Sequence, residues 1–173
     1  AQDTRREFNG DVYVAGVVHE ECFEGVAARK ISERIAPDYV VIGEASECNL
    51  KRGQRGRAEV VVETYGKAAH SSNPQDGINA VYNMMKLLEK IRGIKTPCHD
   101  VLGEGILELT DIISFPYPGA SVVPSLCKAT FDRRLLTGES RESVLKPIQG
   151  CITELENIVH NFKARAYYAV GEE

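Results

Sequence analysis

From Ala58 onward the chain switches between two hydrophobic periods, and the order of the switches leaves few folds open. Residues 58–65 read as a strand with Glu59 and Glu63 on one face. Ile78, Val81, Met84, Met85, Leu88 and Ile91 then recur at helical spacing, with Asp76 expected as the N-cap and Gly93 as the stop. Met84 and Met85 are both expected in the core. Residues 105–114 and 126–136 read as strands on either side of the loop Phe115-Pro116-Tyr117-Pro118-Gly119. A second helix is expected from about Ser143 to His160 on Val144, Ile148, Ile152, Leu155 and Val159. Pro147 must lie in its first turns or kink it. Residues 162–170 make a last alternating strand.

The order β-α-β-β-α-β predicts a ferredoxin-like α+β arrangement, with two helices on one face of an antiparallel sheet and the other face open. Strand parity then assigns directions. Cys127, Ala129 and Phe131 should face the helices, while Lys128, Thr130, Asp132 and Arg134 should point to the open side.

The first fifty residues read differently. Two apolar runs, residues 12–18 and 39–42, flank a stretch from Gly25 to Ile35 with Val26, Ala27, Ile31 and Ile35 at roughly helical spacing. A strand-helix-strand crossover makes the strands parallel. Glu20-Glu21 follows the first run and Gly43-Glu44-Ala45-Ser46 the second, which would place both acidic loops beyond the carboxyl ends, where ligands collect in open α/β sheets. Two glycines and four cations from Leu50 to Arg57 mark a domain boundary or hinge. The expected division is a partial α/β parallel-sheet domain over residues 1–53 and a ferredoxin-like domain over 54–173.

A formal net charge of -4 with no block of Lys or Arg removes the footprint that nucleic acid or an anionic membrane surface requires. A small-molecule or short-peptide partner is expected instead. No apolar run approaches the ~20 residues of a membrane helix, and residues 1–7 carry no apolar signal core. Five scattered cysteines, Cys22, Cys48, Cys98, Cys127 and Cys151, have an odd total and no short pairing, as free thiols in a reducing compartment would. The expected location is cytoplasmic.

His19-Glu20-Glu21, Gly43-Glu44-Ala45-Ser46, Gly66-Lys67-Ala68-Ala69-His70-Ser71-Ser72-Asn73-Pro74, Gly77-Ile78-Asn79-Ala80 and Asp132-Arg133-Arg134-Leu135-Leu136-Thr137-Gly138 occur in that order. With them the chain resembles the dinuclear-zinc amidohydrolases and exopeptidases, a family that includes glutamate carboxypeptidase, acetylornithine deacetylase, succinyl-diaminopimelate desuccinylase and aminoacylase. The likeness extends to the bacterial hydrolases linked by name to selenium metabolism. It implies that Glu20 is the general base, that Glu21 and Glu44 are ligands to two divalent metal ions, zinc foremost with cobalt or manganese as alternatives, and that His70 reaches into a partner subunit's active site. Arg134, and not Arg133, matches the family's substrate-carboxylate arginine, in accord with strand parity. The segment from Ala58 onward matches the family's lid, through which it forms homodimers. The family's upstream His and bridging Asp and its downstream His have no match here, so the likeness implies a fragment that is inactive alone.

The chemistry suits these residue types. Amide hydrolysis needs a nucleophile at neutral pH, which metal-bound water supplies, and a base to take its proton. A histidine flanked by Ala68, Ala69, Ser71 and Ser72 is free to project and to donate to a developing oxyanion. An arginine offers a carboxylate two parallel hydrogen bonds. Each residue also has a plain reading, as a solvated loop acid, a helix-terminal acid, an exposed loop histidine, or a surface partner of Asp132 or Glu139. The rival function is a non-catalytic ferredoxin-like module for dimerisation or small-molecule binding, and a third is a family member that binds without cleaving.

Overall fold

The computed structural model describes residues 9–19 and 25–169. Its contacts divide the chain into two units, residues 1–49 and 50–173.

In the first unit the expected helix is present as α1 (Val26–Ile35), entered through Gly25 at φ 80, a left-handed conformation that glycine adopts without strain. The expected strands are absent. Neither residues 12–18 nor residues 39–42 join a ladder, and their apolar side chains are exposed, Val14 at 96% and Val41 at 94%. A strand persists only where neighbouring strands satisfy its N–H and C=O groups and a layer covers its apolar face. Among the described residues these runs have neither, so the parallel-sheet expectation is not met.

The second unit contains β1 (Gly56–Tyr65), α2 (Ala80–Arg92), a short hairpin of β2 (Cys98–His99) and β3 (Gly103–Glu104), β4 (Ile106–Phe115), β5 (Leu126–Leu135), α3 (Arg141–Ile158) and β6 (Lys163–Tyr168). The main sheet runs β4-β5-β1-β6 with every neighbouring pair antiparallel. This is the order of a split β-α-β arrangement, and it agrees with the ferredoxin-like expectation. The β2–β3 hairpin is an addition that the hydrophobic pattern did not announce.

Parity places the core. Val60, Val62, Cys127, Ala129 and Phe131 pack with Met84, Leu87 and Ile91 of α2 and with Val144, Ile148, Ile152 and Leu155 of α3. The α2 stripe is Ala80, Asn83, Met84, Leu87 and Ile91, so Met84 is buried while Met85, about 100° further round the helix, is 60% exposed. Asp76 is not the N-cap: it ends a short 3₁₀ turn (Pro74–Asp76), and the Asn79 side chain accepts from the N–H groups of Val81 and Tyr82. Ser140 and Ser143 form a reciprocal capping box at the start of α3, which puts Pro147 in the second turn. There its missing N–H costs one hydrogen bond without ending the helix. None of the described helices is long and apolar enough to cross a membrane.

Candidate functional site

Arg133 and Arg134 lie side by side on β5 and part company at their Cβ atoms. Arg133 turns inward, with only 4% of its side chain exposed, and pairs with Glu139. Its Nη1 donates to the carbonyls of Ile106, at 3.1 Å, and Arg134. Glu139 also accepts from the Leu136 N–H at 2.7 Å, which closes the turn after β5. Arg134 sits on the open face, 43% exposed, and its Nε meets Asp132 Oδ1 at 2.7 Å. The other oxygen of Asp132 accepts from Arg57 Nε at 2.9 Å.

Arg57 and Arg134 are directly paired across β1 and β5, where like charges repel, and one carboxylate between them offsets that repulsion. Because Asp132 takes Arg134 through Nε, the edge formed by the two Nη groups of Arg134 is left for another acceptor. Asp132 is the surface partner that the plain reading of Arg134 offered, whereas Arg57 was not singled out as a companion of either. Their alternation with Arg134 on facing strands was the available signal.

His70 is exposed on a loop that the backbone holds firmly. Lys67 and Ile78 exchange N–H to C=O bonds at 2.8 and 2.9 Å, Gly66 N–H bonds Ser125 O at 2.7 Å, and His70 bridges to Val122. Gly66 is required by crowding, since a Cβ there would lie 2.1 Å from Ile78 O. The His70 ring faces Ser72, whose backbone N–H lies 3.2 Å and whose Oγ lies 2.8 Å from Nδ1.

His70 and Arg134 lie towards opposite ends of the sheet. Arg134 pairs with Arg57 near the start of β1, whereas the His70 loop follows Tyr65 at its end, which pairs with Leu126. Eight residues of strand separate these registers, about 27 Å at ~3.4 Å per residue. A small substrate cannot touch both side chains of one chain.

A third polar group occupies the open face between them. Glu63, 8% exposed, accepts from the hydroxyls of Tyr65 at 2.7 Å and Tyr167 at 2.9 Å and from Arg165 Nε at 2.8 Å. Burial would raise its pKa, but the bonds from Arg165, Tyr65 and Tyr167 together hold it below the usual glutamate value. A cleft of roughly 370 Å³ beside the start of α3, lined by Pro97, Cys98, His99, Leu136, Gly138 and Ser143 among others, takes in none of the candidate residues.

The carboxylates of the first unit are less informative. Glu44 is exposed, and Glu20 and Glu21 lie outside the described residues. Among the described residues no group of three or more His, Cys, Asp or Glu side chains is gathered for a metal ion. Zinc takes about four ligands, so the described residues do not by themselves complete a metal centre.

A family model described as a peptidase dimerisation domain matches residues 52–158. The uncharacterized protein YgeY of Escherichia coli (strain K12) is 34% identical over 140 residues, covering 79% of this chain and 34% of YgeY. Acetylornithine deacetylase of Vibrio vulnificus (strain CMCP6) is 28% identical over 155 residues, covering 86% of this chain and 41% of that enzyme. The chain thus spans well under half the length of either relative. The crystal structure of an aminobenzoyl-glutamate utilization protein from Klebsiella pneumoniae superposes with a TM-score of 0.52 at 19% identity, over 66% of this chain and 28% of that one, a likeness of fold alone.

Proposed function

The chain belongs to the peptidase dimerisation domain family, and on that premise we propose that it is the lid and part of the catalytic domain of a homodimeric, metal-dependent hydrolase of amide bonds. Its substrates in this reading are N-acyl amino acids or short peptides, and the chain alone is inactive. Glu20 takes the proton of the attacking water and passes it to the leaving amine. Glu21 and Glu44 belong to a ligand set for two divalent ions, zinc foremost, that this chain does not complete. Cytoplasmic location is part of the same reading, supported by four free thiols among the described residues, Cys48, Cys98, Cys127 and Cys151.

The observation that carries the reading is the distance of about 27 Å between the His70 and Arg134 ends of the sheet. If both act on one small substrate, they come from two subunits, with Arg134 gripping its carboxylate and His70 of the other copy donating to the oxyanion. The surface of the second unit supports pairing. β4 is an edge strand with Leu109, Ile112 and Phe115 38%, 46% and 40% exposed, and Tyr82 and Met85 are exposed on α2. An apolar edge of this kind invites a second strand.

Complementation tests the reading. Glu20→Ala and His70→Ala variants of the full-length enzyme should each be inactive, and mixing them should recover part of the activity in heterodimers. No recovery despite proven subunit exchange would place His70 in its own subunit's site. The non-catalytic alternative keeps one observation in its favour: the matched segment, residues 52–158, lies wholly within the second unit.

A further inference from the structure

We propose that Ser72 is the positioning residue for His70, fixing the neutral imidazole as the Nε2–H donor. The inference rests on the reading of His70 as an oxyanion donor and adds how the ring is held for that task. The backbone N–H of Ser72 lies 3.2 Å from Nδ1 and can only donate. A proton on Nδ1 would set two N–H groups against each other, so Nδ1 presents its lone pair and the ring proton resides on Nε2. The Ser72 hydroxyl, 2.8 Å from the same nitrogen, adds a second donor to that lone pair. A stabiliser of developing negative charge must already carry its proton and be fixed in direction before the reaction begins, because reorientation during it would cost part of the benefit.

The loop backbone makes Ser72 a stable platform. Ser71 N–H bonds Ser121 O at 3.0 Å, Asn73 N–H bonds His70 O at 2.9 Å, and Val123 N–H bonds Ala69 O at 2.9 Å. His70 and Ser72 are therefore held on both sides by a segment tied to the β4–β5 connection. The sequence offers no sign of this pairing beyond the closeness of the two residues.

Long-range ¹H–¹⁵N correlation of the histidine-labelled chain at about pH 8.5, above the ordinary imidazole range, reads the tautomer without any need for activity. The wild type should show Nδ1 unprotonated and Nε2 protonated. Ser72→Ala should raise the Nδ1–H population several-fold, and Ser72→Thr should return it to the wild-type level. A wild-type ring with Nδ1 protonated, or Ser72→Ala populations equal to wild type, would overturn the proposal. In the full-length dimer, Ser72→Ala should lower kcat about tenfold with KM unchanged. Unchanged kcat in Ser72→Ala beside a dead His70→Ala would also overturn it. Unchanged activity in His70→Ala itself would instead sink the oxyanion reading, leaving the NMR result to decide how the ring is held.

Discussion

Arg133 and Arg134 are neighbours in sequence, yet one is buried against Glu139 while the other stands on the open sheet face beside Asp132. Their substitutions should separate stability from binding. Removing one partner of a buried ion pair leaves the other uncompensated, so Arg133→Ala should cost about 3–5 kcal/mol in urea unfolding. Arg134→Ala should change stability by less than about 1 kcal/mol. In the proposed full-length hydrolase it should raise KM for carboxylate substrates at least about tenfold, in keeping with a lost charged hydrogen-bond pair.

Gly66→Ala should damage the His70 loop more than its size suggests. The added Cβ would meet Ile78 O at 2.1 Å and Ala80 N at 2.9 Å, both backbone atoms at the entry to α2. A loss of about 1–3 kcal/mol is expected. Faster amide exchange at Lys67 and Ile78, with the α3 amides protected as before, would locate the damage.

Acid should weaken the domain partly through Glu63. Its folded pKa lies below the ordinary value, so its ionised form contributes stability that is complete above the unfolded value of about 4.3 and lost as pH falls through the folded pKa. Glu63→Gln should therefore flatten the dependence of unfolding free energy on pH below about 4.5. An unchanged slope would show that the Tyr65, Tyr167 and Arg165 bonds do not favour the carboxylate over the acid.

Charge at the sheet edge should weaken the proposed dimer. Ile112→Lys on β4 is expected to raise the dimer dissociation constant at least about tenfold in sedimentation equilibrium. Ile158→Lys at the far end of α3, where the residue is already 65% exposed, should leave it unchanged. Equal effects from the two would remove β4 from the interface.

Much of this architecture was legible in the order of residues. The six elements from residue 58 onward follow from hydrophobic period, and the opposed directions of Arg133 and Arg134 follow from strand alternation, because both are properties of a few consecutive residues. The same rule misplaced Met85, since an apolar residue on the flank of a helical stripe looks like one within it until neighbours define the buried arc. The cap shifts from Asp76 to Asn79 for a similar reason: either side chain can accept N–H groups, and the chain's path through the Pro74 turn selects between them.

The strands expected at residues 12–18 and 39–42 show the opposite limit. Their apolar content signals a buried sheet, but a strand is completed by other strands, and local composition cannot provide them. By itself the sequence determined the order of strands and helices after residue 58 and the alternation of their faces, while the roles expected of Glu20, Glu21, Glu44, His70 and Arg134 came from a resemblance in motifs. Only the tertiary structure decided that Asp132 joins Arg57 to Arg134 and that the His70 loop and Arg134 lie at opposite ends of the sheet, whose registers are about 27 Å apart. Periodicity is written within a single segment, whereas register and separation arise when segments distant in the chain are hydrogen-bonded together.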